Sequence, residues 1–194
     1  MMEEAGVQFR PARLEDVEQI RESVRFTLAN PEGRTLRKRY EDAVARNEVL
    51  VLARFDAKDQ TSKLLGFIEW HTRVDGTVTV RDAGTTGDAP QLAILKRLLR
   101  ELLRHLRPPS VSVKVRSDQE VWNDLFRQTT GFIPGGTEYS RPHWRTIYTW
   151  TPEYERLAAK LLKAPATAAP PQPRRRPPLP PRRPPTGESR RREA

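Results

Sequence analysis

Apolar residues recur along this chain with two spacings, one typical of strands and one typical of helices. Residues 7–10 alternate apolar and polar side chains before Pro11, which predicts a short first strand that ends at the proline. A helix is predicted next, because its apolar positions repeat every three or four residues: Leu14, Val17, Ile20 and Val24. A second helix is predicted over residues 34–46, after a break at residues 30–33 that contains proline and glycine.

Three strands are predicted in the middle of the chain. Residues 48–55 form a nearly continuous apolar run, which is typical of a strand buried on both faces. Residues 64–72 and 77–81 form the next two predicted strands. The Asp-Gly pair at positions 75–76 lies between them and indicates a tight hairpin turn.

The stretch from Val78 to Leu106 combines a strand, a turn that contains glycine, and a long amphipathic helix. Leucine and isoleucine line one face of that helix, at positions 92, 94, 95, 98, 99, 102, 103 and 106. Two prolines end the helix at positions 108–109. Backbone N–H groups in such a turn point toward one place, where the positive end of the helix dipole adds to them. The turn is therefore a candidate site for a phosphate group.

The last predicted elements complete a mixed sheet. Residues 110–116 alternate as a half-exposed strand, and a helix capped by Asp118 is predicted to run to about Thr129. Two strands follow near residues 136–141 and 145–150. The predicted order is β-α-α-β-β-β-α-β-α-β-β, which places the chain in the α/β class with a mixed (α+β) sheet.

The composition changes after residue 163. Residues 164–194 hold 10 of the 18 prolines and carry 8 Lys and Arg against 2 Asp and Glu, so they account for much of the net charge of +10. Without apolar periodicity this stretch cannot bury enough surface to offset its ordering entropy. We therefore expect one domain over residues 1–163 and a disordered Pro/Arg-rich tail over 164–194. Residues 177–182 fit the P-x-x-P-x-Arg form that SH3 domains bind, and the basic tail also suits weak contact with anions or nucleic acid.

Several classes of site are excluded by composition. The chain has no cysteine, which excludes a disulfide framework, a thiolate metal site and a cysteine nucleophile. The histidines at positions 71, 105 and 143 lack metal-ligand spacing, so no metal site is expected. We expect no membrane span, because no apolar run reaches about 18 residues, and the N-terminus lacks the apolar segment of a secretory signal. The expected location is the cytoplasm.

Three stretches together resemble the GNAT family of N-acetyltransferases. VQFRPARLEDVEQI resembles the first strand and helix of the family, and NDLFRQTTGFIPGGTEYSRP resembles its late helix and C-terminal strands. Between them, LLGFIEWHTRVDGTVTVRDAGTTGDAPQLAILKRLL resembles the third and fourth strands and the helix that binds acetyl-CoA. The match covers residues 7–152, and its order of elements agrees with the order predicted above. The resemblance implies a GNAT fold and an N-acetyltransferase that uses acetyl-CoA as co-substrate; it does not identify the amine acceptor.

The resemblance also implies where the site lies. The coenzyme A thioester would lie between diverging central strands, next to Val78 and Val80, with its diphosphate at the turn before the long helix. That turn supplies six candidate cofactor-binding residues: Gly84, Thr85, Thr86, Gly87, Asp88 and Ala89. Glu69 lies in the strand where the family often places its catalytic base, and Asp82 is a second candidate. Tyr139 is the candidate for returning a proton to the leaving thiolate.

The chain departs from the family pattern at two places. The phosphate loop of the family reads Arg/Gln-x-x-Gly-x-Gly/Ala, and here Thr86 stands at the leading basic position and Gln91 at the last small one. Asp88 puts a carboxylate at a place where it would repel a diphosphate or cap the helix. The position of the late tyrosine holds Arg127. These departures keep open the hypothesis of a catalytically inactive GNAT-fold binding or regulatory module. The basic tail keeps open a second hypothesis, a nucleic-acid-associated protein that acts through that tail.

Overall fold

A seven-stranded mixed sheet forms the centre of this computed structural model, which describes residues 6–33, 39–56 and 61–163. The strands in chain order are β1 (Val7–Pro11), β2 (Val49–Asp56), β3 (Thr61–Thr72), β4 (Val78–Thr85), β5 (Val111–Arg116), β6 (Phe132–Ser140) and β7 (His143–Trp150). Across the sheet they lie in the order β1-β2-β3-β4-β5-β7-β6. Neighbouring strands run antiparallel, except that β4 and β5 are parallel.

Helices cover both faces of this sheet. They are α1 (Leu14–Ser23), α2 (Tyr40–Ala45), α3 (Leu92–Leu106), α4 (Glu120–Arg127) and α5 (Pro152–Lys163). The observed order confirms the predicted one through β7 and adds α5, which the sequence analysis missed. Its start was nevertheless marked by a proline at the first helical position and by two glutamates in the first turn. Among the described residues, no helix is long and apolar enough to cross a membrane.

Two buried clusters lie on opposite faces of the sheet, and β2 contributes to both. Val49 and Val51 belong to the cluster beneath α1 and α2, whereas Leu50 and Leu52 belong to the cluster beneath α3 and α4. Successive strand residues point to opposite faces, so a strand covered on both sides must be apolar at every position. The continuous apolar run at residues 48–55 is explained in this way.

The apolar face of α3 forms much of the second cluster. Four of its leucines are buried: Leu95, Leu98, Leu99 and Leu102. Burial of one leucine side chain stabilises the fold by about 1.5–3 kcal/mol. The helix crosses from the end of β4 to the start of β5 and makes their parallel pairing possible.

A buried ion pair fixes the start of α1. The Arg10 guanidinium donates two hydrogen bonds to the Asp16 carboxylate, at 2.6 and 2.8 Å, and the Arg13 N–H donates to the same carboxylate at 2.7 Å. Burial would raise the pKa of Asp16, but the Arg10 guanidinium and the Arg13 N–H outweigh it and hold that pKa below its usual value. The acidic first turn of this helix, at Glu15 and Asp16, is therefore anchored by charge.

Two predicted helix caps are wrong. The N-cap of α3 is Gln91 rather than Asp88, and the Gln91 N–H donates to the Thr85 hydroxyl at 2.9 Å. Asp118 does not cap α4, because its carboxylate accepts two hydrogen bonds from Arg116, at 3.0 and 2.7 Å. In both cases the carboxylate lies next to an arginine, Arg25 for Asp88 and Arg116 for Asp118.

Some predictions fall outside the described residues. The second helix was predicted from residue 34, and the described helix α2 begins at Tyr40 because residues 34–38 lie outside. The disordered tail, its SH3-binding motif and its contact with nucleic acid all concern residues 164–194, which also lie outside. Those statements stay predictions.

Candidate active site

The parallel strands β4 and β5 pair over a short stretch and then part. Residues 78–80 pair with residues 111–113, and in the described residues no further pairing joins the two strands. β4 nevertheless continues to Thr85 and β5 to Arg116. A cleft therefore opens at the carboxyl ends of two parallel strands, which is where ligands bind in open α/β sheets.

A β-bulge at Arg81 turns Asp82 toward α1 and α2. Trp70 lies opposite Val80 and Glu69 lies opposite Asp82, so Arg81 is an extra residue in β4. Without it, strict alternation would place Asp82 on the same face as Val80. The bulge thus makes Asp82 and Glu69 cross-strand neighbours on one face of the sheet.

The carboxylate of Asp82 is fully buried and held by three donors. The Tyr40 hydroxyl donates to its Oδ2 at 2.9 Å, and the Ala29 and Ala83 N–H groups donate to its Oδ1 at 2.9 and 3.0 Å. A buried carboxylate is stable only with such partners. Asp82 therefore ties β4 to the connection between α1 and α2.

Glu69 is buried next to this carboxylate, with 4% of the residue exposed. The pKa of the Tyr40 hydroxyl is raised, mainly by burial and then by the neighbouring Asp82 carboxylate, and Glu69 adds a smaller effect. Tyr40 therefore remains a proton donor at neutral pH. Two carboxylates and a tyrosine in one buried place form a set of groups able to accept and hold protons.

Several polar groups of the turn before α3 are already hydrogen-bonded within the protein. The Thr86 N–H donates to the Leu65 carbonyl oxygen at 3.0 Å, and the Thr85 hydroxyl accepts from Gln91 as described above. Residues 87–89 form an exposed tip. Gly87 also forms a parallel bridge with Val24, so residues 88–89 are the part of the tip that is exposed and not in such a bridge.

The charge at this tip differs from what the sequence suggested. The Asp88 side chain is 99% exposed and lies 3.8 Å from the Arg25 guanidinium at the end of α1. It therefore points to solvent and does not fill the turn. Arg25 brings a positive charge to the loop in place of the basic residue that is absent at position 86.

A cavity of about 330 Å³ opens beside Tyr40. Its walls come from α1, from the residues that follow it and from α2, and include Ile20, Arg21, Val24, Phe26, Thr27 and Tyr40. This volume lies in the range of small-molecule pockets. The cavity places space for a small ligand next to Tyr40, the residue whose hydroxyl donates to Asp82.

Comparison with known proteins identifies this architecture. No family model matches the sequence, and no curated protein matches it. Among solved structures, an acetyltransferase of the GNAT family from Bacillus cereus superposes with a TM-score of 0.59 at 14% identity, covering 75% of this chain and 97% of the other. The chain has the GNAT fold. This confirms the fold expected from the sequence resemblance.

Two further structures match in the same way. A protein described as a streptothricin acetyltransferase from Bacillus anthracis, solved with acetyl coenzyme A, matches at 10% identity with a TM-score of 0.56, covering 75% of this chain and 98% of that one. An N-acetyltransferase from Staphylococcus aureus matches at 15% identity with a TM-score of 0.54, covering 75% and 98%. The matched structures are thus acetyltransferases.

Within the GNAT fold, the predicted cofactor-binding residues fall in two places. Val78 and Val80 are buried where β4 is still paired with β5, below the point at which the strands part. Gly84, Thr85 and Thr86 continue β4 along the cleft and into the turn. The exposed tip at residues 87–89 completes the predicted loop.

Tyr139 lies apart from the buried carboxylates. It is 57% exposed in β6, where its ring lies 5.3 Å from the ring of Trp144. In the sheet order, β6 is three strands from β4, so the axes of these two strands lie about 14 Å apart. The structure therefore brings Glu69 and Asp82 together and leaves Tyr139 at a distance. At the position of the family tyrosine, the Arg127 guanidinium lies 3.4 Å from the Asp124 carboxylate.

Two residues of this site, Tyr40 and Arg25, are not predicted from the sequence. Neither residue belongs to a local motif, because each reaches the site only through the packing of α1 and α2 on β4. A polar aromatic residue at the first position of a short helix was the one available signal for Tyr40.

Proposed function

We propose that this protein is a GNAT-type N-acetyltransferase that transfers an acetyl group from acetyl-CoA to a primary amine. The observation that carries the proposal is the cleft between the parallel strands β4 and β5, directly ahead of α3, in a chain with the GNAT fold. The thioester would lie in this cleft. The acceptor amine would enter through the cavity beside Tyr40.

The exposed turn suits the diphosphate of the co-substrate. Residues 87–89 lie ahead of the N-terminus of α3, whose dipole favours an anion. Arg25 adds a guanidinium at the tip, where it lies 3.8 Å from the exposed Asp88 carboxylate. These features partly replace the basic and small residues that the family loop has at positions 86 and 91.

The chemistry requires two proton transfers. The amine nitrogen attacks the thioester carbonyl carbon, so a C–N bond forms and the C–S bond breaks. The nitrogen loses a proton, which we assign to Glu69, and the coenzyme A thiolate gains a proton from water, because Tyr139 lies at a distance. Asp82 is fully buried with three donors, which favours a positioning role for it rather than a role as base.

Binding and turnover of acetyl-CoA test the proposal together. Isothermal titration should show binding below millimolar concentration, and a thiol reagent should detect coenzyme A release with some member of an amine panel. The chain has no cysteine, so the reagent reports the released coenzyme A alone. Failure of both measurements would refute the proposal.

Glu69→Gln tests the assigned base. We expect kcat to fall by about 10²–10⁴ while the acetyl-CoA Kd stays within a few fold. Glu18→Gln, an exposed position on α1, is the matched control and should leave kcat unchanged. An unchanged kcat in Glu69→Gln would remove Glu69 from the mechanism.

A second candidate function is a GNAT-fold binding module without catalysis. Thr86 and Gln91 at motif positions favour it, and so do the contacts that the connection after α1 makes with β4. It predicts ligand binding without coenzyme A release from any amine. Steady release of coenzyme A above the rate of spontaneous hydrolysis would exclude it.

A further inference from the structure

The residues that follow α1 run along the edge of β4 that faces the cleft. We call residues 24–33 the α1–α2 segment. Thr27 forms an antiparallel bridge with Gly84, and the Leu28 N–H donates to the Ala83 carbonyl oxygen at 2.9 Å. The other edge of β4 is paired with β3 along its length, so these bonds lie on the edge that faces β5. The α1–α2 segment thus takes hydrogen-bonding positions inside the cleft.

The Leu28 side chain fills the space between the parted strands. Val24, in the same segment, belongs to the buried cluster on the α1–α2 face, whereas Leu28 belongs to the cluster beneath α3 together with Val113 and Val115 of β5. Leu28 is 6% exposed. A side chain that starts on one face of a sheet and is buried in the core of the other face must pass between two strands. The opening between β4 and β5 is where that passage lies.

The α1–α2 segment is held from both sides of the cleft. On the β4 side, the Ala29 N–H donates to Asp82 at 2.9 Å. On the β5 side, the Glu32 carboxylate accepts a hydrogen bond from the Arg116 guanidinium at 2.8 Å. Gly84 has no room for a side chain, because an added Cβ would lie 2.5 Å from Cγ1 of Val24. Backbone, core and charge contacts therefore fix the segment in one place.

We infer that the α1–α2 segment is a built-in competitor of the acyl thioester, with Leu28 as the group that closes the cleft. The inference rests on the proposed function, since it concerns the site assigned there to acetyl-CoA. A thioester arm that lies between β4 and β5 needs the Ala83 carbonyl and the volume of the Leu28 side chain. Binding must displace residues 26–29. The observed affinity for acetyl-CoA is therefore the intrinsic affinity multiplied by the fraction of molecules in which these residues have left the cleft.

The test compares acetyl-CoA binding by two leucine variants in the full chain. Leu28→Ala removes the side chain that closes the cleft and should lower the Kd for acetyl-CoA by about tenfold or more. Leu52→Ala is the matched control, because Leu52 is equally buried in the same cluster but lies in β2, away from the cleft. It should leave that Kd unchanged. Leu28→Val, a smaller truncation that keeps most of the core contacts, should give an intermediate decrease.

Hydrogen exchange of single amides gives a second readout that does not depend on turnover. The Leu28 amide should exchange slowly in the free protein and faster with saturating acetyl-CoA, because the ligand displaces its bond to Ala83. The Trp70 amide, which donates to the Glu48 carbonyl oxygen at 3.0 Å, is the internal control and should not change.

The outcomes separate this inference from the proposed function. Tighter binding by Leu28→Ala supports the inference, whether the wild type binds weakly or not at all. If the wild type binds and Leu28→Ala binds no tighter, the inference is overturned and the proposed function survives. If neither protein binds acetyl-CoA, both are overturned. Protection of the Leu28 amide that increases with acetyl-CoA would also overturn the inference.

Discussion

The hydrogen bond between Tyr40 and Asp82 offers a quantitative comparison within one protein. Two buried tyrosines each donate a hydrogen bond from the hydroxyl: Tyr40 to Asp82 at 2.9 Å and Tyr148 to Asn123 at 3.0 Å. Both tyrosines are at least 95% buried, so solvent affects the two bonds about equally. The acceptor is a carboxylate in the first case and a neutral amide in the second.

Replacement of each tyrosine by phenylalanine removes the hydroxyl and keeps the ring. A hydrogen bond to a charged group contributes about 1.5–3 kcal/mol to stability, and a neutral one contributes about 0.5–1.5 kcal/mol. We expect Tyr40→Phe to lower the free energy of unfolding by the larger amount and Tyr148→Phe by the smaller. The Ala29 and Ala83 N–H groups remain as donors to Asp82, which keeps the cost within this range.

Urea unfolding followed by tryptophan fluorescence at pH 7 measures both free energies. The slope m should match that of the wild type in both variants, which would show that the difference lies in folded-state stability. For a chain of this size, 1 kcal/mol corresponds to about 2–4 °C in Tm, so Tyr40→Phe should melt about 3–12 °C lower. Equal losses in the two variants would refute the reasoning that the carboxylate acceptor makes the Tyr40 hydrogen bond the stronger of the two.

Three further predictions concern stability. The pKa of Asp16 is lowered in the folded state, so its contribution to folding stability is present above the unfolded pKa of about 3.9 and is lost as the pH falls through the folded pKa. Asp16→Asn removes this contribution, so the urea midpoint of the variant should fall less than that of the wild type as the pH is lowered. Equal decreases of the midpoint in the two proteins would contradict this. Gly84→Ala should destabilise the protein by about 1–3 kcal/mol, because the added Cβ would lie 2.5 Å from Cγ1 of Val24. Gly135→Ala is the control: its added Cβ has its nearest atom at 3.7 Å, so it should cost under about 0.5 kcal/mol when both variants are compared by thermal unfolding. Leu102→Ala empties a fully buried position of α3 and should cost about 2–5 kcal/mol by calorimetry, so a loss below about 1 kcal/mol would show that the core collapses into the space.

Local patterns predicted most of the secondary structure and the arrangement of faces. The leucines of α3 recur with the helical period, and a helix must turn such a face toward a core. The run of apolar residues at positions 49–53 of β2 reflects burial on both sides. The alternation in β3 correctly separates Phe67, on the α1–α2 face, from Ile68 and Trp70 on the α3 face.

The sequence by itself thus determined most of the elements and their order, because both depend on the spacing of neighbouring residues, and the resemblance of three stretches to a known family implied the GNAT fold. The tertiary structure decided what fills the cleft. The bulge at Arg81 depends on the register between β3 and β4, and it alone turns Asp82 toward Tyr40. Leu28 closes the cleft only because α1 ends beside β4, 55 residues further along the chain at Ala83. No periodicity in one segment carries such information, since it arises from the meeting of segments that are distant in sequence.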